Sequence, residues 1–169
     1  MQRIAALLAL ALSALLSGCF ASDRPMFSPA SAIPALGNGG RYATFEVDEG
    51  KEKPSDPIVV RPGPANVYDF INEKDHATPV TFHPVAGGLL VAQVRLEGSQ
   101  GYGYVVARVT GHEMVIMPAE CARQDKAKMD ALGVVQVNQY ECRLDKVADP
   151  SAFFAGLAFS QPVSRMVRQ

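Results

Sequence analysis

Residues 90–117 read LVAQVRLEGSQGYGYVVARVTGHEMVIM. Through the first eight, Leu90, Ala92, Val94 and Leu96 alternate with Val91, Gln93, Arg95 and Glu97. A period of two marks a half-buried strand, because successive side chains point to opposite faces. Gly98-Ser99-Gln100-Gly101 breaks the pattern as a loop with a glycine at each end. Alternation resumes from Tyr102 to Thr110, with Gly103, Val105, Ala107 and Val109 set against Tyr104, Val106 and Arg108. Gly111-His112 fits a two-residue hairpin turn in which glycine takes the positive φ. Glu113 to Met117 returns as a third strand that stops at Pro118. Val80 to Val85, joined through Ala86-Gly87-Gly88, is a candidate fourth strand, so the spacing predicts an antiparallel meander over about 80–117.

Upstream, Arg41 to Asp48 alternates Ala43, Phe45 and Val47 against Tyr42, Thr44 and Glu46, and reads as a strand. Glu49 to Pro57 is charged and carries Pro54 and Pro57, which reads as a loop. Ile58-Val59-Val60 is a short strand that Pro62 and Pro64 keep from running on centrally. Val67 to Ile71 is apolar but too short to type.

Downstream of Pro118 the pattern turns helical. Glu120 to Leu132 is rich in helix formers, places Cys121, Ala122, Met129 and Leu132 roughly on one face, and stops at Gly133. Val134 to Val137 and Tyr140 to Leu144 read as strands. Asp149-Pro150 is an N-cap followed by proline at the first helical position, opening a helix through Phe159. Pro162 ends it, leaving a tail with Arg165 and Arg168. Strands in a local meander, followed by helices, predict an α+β fold: a mostly antiparallel sheet with two C-terminal helices packed on one face.

The N-terminus stands apart. Met1-Gln2-Arg3 carries positive charge, and Ile4 to Leu16 is an unbroken run of Ala, Leu, Ile and one Ser. As a helix it rises only about 20 Å, short of the roughly 30 Å hydrocarbon core, which fits a signal peptide better than a membrane span. The run ends in Leu16-Ser17-Gly18-Cys19. These four residues resemble the bacterial lipobox, in which small residues precede a cysteine that is diacylated before cleavage. The resemblance implies a signal peptide over 1–18, a mature chain starting at Cys19, and membrane attachment through palmitate-like acyl chains. Each buried methylene contributes about 0.8 kcal/mol, so two or three chains hold firmly where one does not. Phe20 stands where enterobacterial lipoproteins retained at the inner membrane carry Asp. That resemblance favours an outer-membrane, periplasm-facing destination.

Residues 20–40 hold three Pro and three Gly without apolar periodicity, and with Cys19 they read as a lipidated N-terminus and flexible linker, 19–40. Such a linker would let the body, 41–169, stand off the bilayer as a single domain. The composition is globular, with 48% hydrophobic and 20% charged residues, and a net charge of −1 offers no basic field for nucleic acid.

With Cys19 assigned to lipid, Cys121 and Cys142 remain, and an exported domain favours a bridge between them. The rival is a reactive thiol at Cys121, near a helix N-terminus. His76, His83 and His112 lack metal-ligand spacing, and His112-Glu113, as neighbours in a strand, point to opposite faces. Asp69, Glu73 and Asp75 form an acidic cluster without the calcium-loop pattern. No hydrolase elbow, zinc motif, P-loop or dinucleotide fingerprint occurs, and no cofactor is implied. Tyr102 and Tyr104 share a strand face with Val106, a contact strip for protein or glycan unless the first strand or the linker covers it.

The leading expectation is a non-enzymatic binding or assembly module, tethered near an envelope protein partner. One alternative is a small periplasmic hydrolase or redox enzyme using His83, His112 or Cys121. Another is a structural envelope component.

Overall fold

The computed structural model describes residues 19–96 and 101–169. Residues 1–18, read above as a signal peptide, and residues 97–100 lie outside the described residues, as does the side chain of Cys19.

The meander does not remain an open sheet. β2 (Gly40–Asp48), β3 (Lys51–Pro62), β4 (Val67–Ile71), β5 (Ala77–Val85), β6 (Leu89–Arg95), β7 (Tyr102–Thr110) and β8 (Glu113–Met117) pair antiparallel in sequence order. The last strand, β11 (Ser164–Arg168), enters between β8 and β2, antiparallel to both, and closes an eight-stranded barrel. Full closure leaves no unpaired barrel edge over the paired residues. The α+β expectation, with two C-terminal helices on one face, is therefore corrected: the chain is a mostly antiparallel β-barrel with two short helices.

Alternation carries the reason. Val91, Ala92, Gln93 and Val94 are consecutive and all buried, so β6 has a wet side on neither face. Phe82, Ala92, Val94 and Ala107 point into the bore with Tyr42, Val60, Tyr68, Met114 and Met166. Val91, Tyr104 and Val106 point outward under a lobe built from both ends of the chain. The barrel bore is filled with side chains, as small barrels require.

The lobe contains β1 (Cys19–Ser22), β9 (Val135–Gln136), β10 (Glu141–Arg143), α1 (Lys126–Ala131) and α2 (Pro150–Ala155). Both helices are shorter than their patterns predict. Cys121–Arg123 is a 3-10 turn, and α1 starts only after Asp125, whose carboxylate accepts from Lys128 N at 2.9 Å. An N-cap donor-satisfying carboxylate fixes where the helix begins. Asp149 caps α2 in the same way, accepting from Ala152 N at 3.0 Å, and Gly156 ends it before Phe159.

The loop reading of 49–57 is also corrected, since β3 runs through it. From Lys51 to Asp56 this strand is exposed and pairs only with β2, while β4 joins it from Val59 onward. One free edge lets Pro54 sit in the strand without losing a ladder bond. A register shift between Tyr42 and Thr44 marks a bulge beside Pro57. The hairpin turn at Gly111-His112 has Gly111 at φ +59°.

Candidate functional site

The stretch 20–40, read as a flexible linker, packs onto the barrel. Phe20, Phe27 and Leu36 are 4%, 6% and 6% exposed. Phe20 meets Phe153 edge-on at 5.3 Å, and Phe27 stacks on the His83 ring at 4.7 Å. Phe27 N donates to Gln93 Oε1 (3.0 Å), Ile33 N to the Phe82 carbonyl (2.9 Å), and Leu36 N to Tyr68 Oη (3.3 Å). Leu36 belongs to the bore cluster, so this strap crosses the outer wall and then reaches the interior. Proline and glycine density signals irregular backbone, and here irregular backbone is anchored by side chains.

The strap also decides the fate of Tyr102 and Tyr104. Tyr104 is 3% exposed, its hydroxyl 2.6 Å from Ser22 Oγ and accepting from Met26 N at 3.0 Å. Burial raises its pKa above the ordinary tyrosine value, with the Ser22 hydrogen bond opposing. Tyr102 is partly buried against the same cluster. The open contact strip is therefore corrected to a covered one.

The enzyme candidates are placed separately. His83 is fully buried, and burial lowers its pKa from 6.5 to about 4, against an opposing hydrogen bond to the Ser31 backbone. Its Nδ1 lies 2.9 Å from Ser31 Oγ and its Nε2 2.9 Å from Thr81 Oγ1. The Ser28 carbonyl lies 2.9 Å from the same Ser31 Oγ, so it competes with the imidazole for the one hydroxyl proton. His112 is exposed in the β7–β8 turn. Cys121 and Cys142 lie at disulfide distance, with S–S 2.00 Å and Cα–Cα 5.9 Å, which leaves Cys121 without a free thiol. Glu73 and Asp75 are exposed in the β4–β5 turn, where Asn72 Oδ1 accepts from Lys74 N and His76 N. Among the described residues no three His, Cys, Asp or Glu side chains gather for a metal.

What the fold does assemble surrounds the start of β1. Cys19, Phe20 and Ala21 register in parallel with Glu141, Cys142 and Arg143, while Ala21 and Ser22 pair antiparallel with Gly103 and Tyr102. Arg143 ties the junction together through ion pairs with Asp23 and with Asp145, the latter at 3.1 Å. Asp23 N donates to Asp145 Oδ1 at 2.6 Å, and Leu144 N to the Ala21 carbonyl at 2.9 Å. Beside this junction the β9–β10 hairpin exposes Val135 (47%), Val137 (57%) and Tyr140 (66%). A shallow recess of about 480 Å³ runs along it, lined by Lys126, Asp130 and residues 134–138. Sequence reading found both strands of this hairpin but not its exposed apolar tip. The signal was available, in Val135 and Val137 before a polar Asn138-Gln139 turn and Tyr140 after it.

No protein-family profile, curated protein or solved structure matches this chain.

Proposed function

We propose that this chain is an envelope lipoprotein, acylated at Cys19 and held at the outer membrane facing the periplasm, whose barrel is a non-enzymatic binding or assembly module. The observation that carries the reading is the Leu16-Ser17-Gly18-Cys19 motif directly after the apolar run Ile4 to Leu16. Cys121 and Cys142 at disulfide distance fit an oxidising compartment. A bore packed with Tyr68 and Phe82 directs partner contacts to the outer surface of the molecule. Membrane attachment raises the effective concentration toward an envelope partner, so a modest interface suffices.

The test is the mass of the N-terminal peptide from the native protein, with membrane fractionation. An acylated Cys19 in the membrane fraction, lost in Cys19→Ser, is the expected result. An intact Met1 start on a soluble species overturns the proposal.

A further inference from the structure

We infer that the tip of the β9–β10 hairpin is a second membrane contact, inserting Val135, Val137 and Tyr140 into the bilayer interface beside the acyl anchor. The inference rests on acylation at Cys19 and specifies how the anchored body sits.

Four large hydrophobic side chains are exposed among the described residues, and three of them lie within six residues of this hairpin. They are not scattered. Val135 in β9 and Val137 just beyond it flank Gln136, whose register partner Cys142 is buried. Tyr140 follows at the turn, its backbone N bonded to Asn138 Oδ1 at 2.7 Å. What covers this tip follows from the register. β1 runs parallel to β10, so Cys19 and Glu141 sit side by side, about 5 Å apart as neighbouring strands are. Acyl chains leaving Cys19 therefore enter the bilayer next to Tyr140, and the strap, being packed down, supplies no spacer.

The tip has the chemistry of an interfacial contact. Tyrosine places an apolar ring in the acyl boundary and its hydroxyl at the headgroups. Asp130, the acid lining the recess, is paired with Lys126 at 2.8 Å.

The chain contains no tryptophan, so Tyr140→Trp creates a single fluorescent reporter. Val59→Trp is the control. Val59 is 39% exposed on β3, which stands four strands from β7 around the eight-stranded ring. Native acylated protein carrying either substitution is reconstituted in phosphatidylethanolamine–phosphatidylglycerol vesicles. The expected result is a blue shift of the Tyr140→Trp emission and its quenching by brominated acyl chains, with neither change for Val59→Trp. Co-flotation with vesicles while both reporters stay open to aqueous iodide overturns the hairpin contact and leaves the anchor standing. Failure to co-float, with no acyl mass on Cys19, overturns the anchor and this inference with it.

Discussion

Phe20 and Cys142 are register partners in adjacent parallel strands, and both are buried, at 4% and 2% exposure. Phe20 is thus a core residue, directly across from the half-cystine that fastens β10 to the turn before α1. First strand and cross-link form one piece of structure, and each can be perturbed separately.

Phe20→Ala removes a ring that packs edge-on against Phe153 at 5.3 Å and Phe154 at 6.2 Å. A buried aromatic truncated to alanine costs about 3–5 kcal/mol. Urea denaturation of the variant is expected to show a midpoint lowered accordingly. An unchanged midpoint would mean that β1 is not part of the cooperative unit.

The Cys121–Cys142 link spans 21 residues of sequence. A loop of this size constrains the unfolded chain by about 3 kcal/mol in the chain-entropy account. Cys121→Ser with Cys142→Ser is expected to lower thermal stability by about that amount. Hydrogen exchange should rise over 121–144 before it rises in β5–β7, because the barrel ladder does not include the link. Uniform acceleration across the barrel would contradict this.

Legibility in the sequence followed burial geometry. The alternation from Leu90 to Met117 revealed strands because side-chain period depends on backbone alone, whatever lies on each face. It did not reveal closure, since Val91 and Ala92 look the same whether one face is wet or both are covered. β3 was hidden by Pro54 and Pro57, which a strand tolerates only on a free edge that sequence does not display. The strap was hidden by composition: Phe20, Phe27 and Leu36 are spread among proline, glycine and serine without a period. Of the candidate site, the apolar hairpin tip was open to reading from Val134, Val135 and Val137 ahead of Asn138-Gln139, but its place beside Cys19 was not, because that depends on the pairing of Cys19 with Glu141.

His83 gives a pH prediction with a definite sign. Its folded pKa is lowered to about 4 by burial, against an ordinary value of 6.5. Stability from keeping the ring neutral is complete above pH 6.5. It is lost as pH falls toward 4, because there the unfolded chain binds a proton that the folded one refuses. The shift corresponds to roughly 3 kcal/mol across that window. His83→Gln keeps polar groups for Ser31 and Thr81 but does not titrate. Unfolding free energies measured from pH 4 to 7 should fall more steeply for the native protein than for the variant. Parallel curves would show that His83 is protonated within the fold.

The sharpest structural prediction concerns β11. Its five residues carry one buried side chain, Met166 at 5% exposure, and the Met166-Val167 pair sits between Arg165 and Arg168, so no hydrophobic run announces a strand. Yet it bonds to β2 over Tyr42–Glu46 and to β8 over Glu113–Ile116. On the outside, Arg165 reaches Glu113 at 2.6 Å and Glu52 at 3.0 Å. These ion pairs are solvent-exposed and screened, so the strand's value lies in the ladder. Deleting residues 164–169 opens two barrel edges at once and exposes the bore, and open edges seek other chains. The truncated protein is expected to bind hydrophobic dye and to elute as aggregate. Arg165→Ala should stay monomeric, with its urea midpoint nearly unchanged. A folded, monomeric truncation would show that β2 and β8 do not depend on this strand for closure.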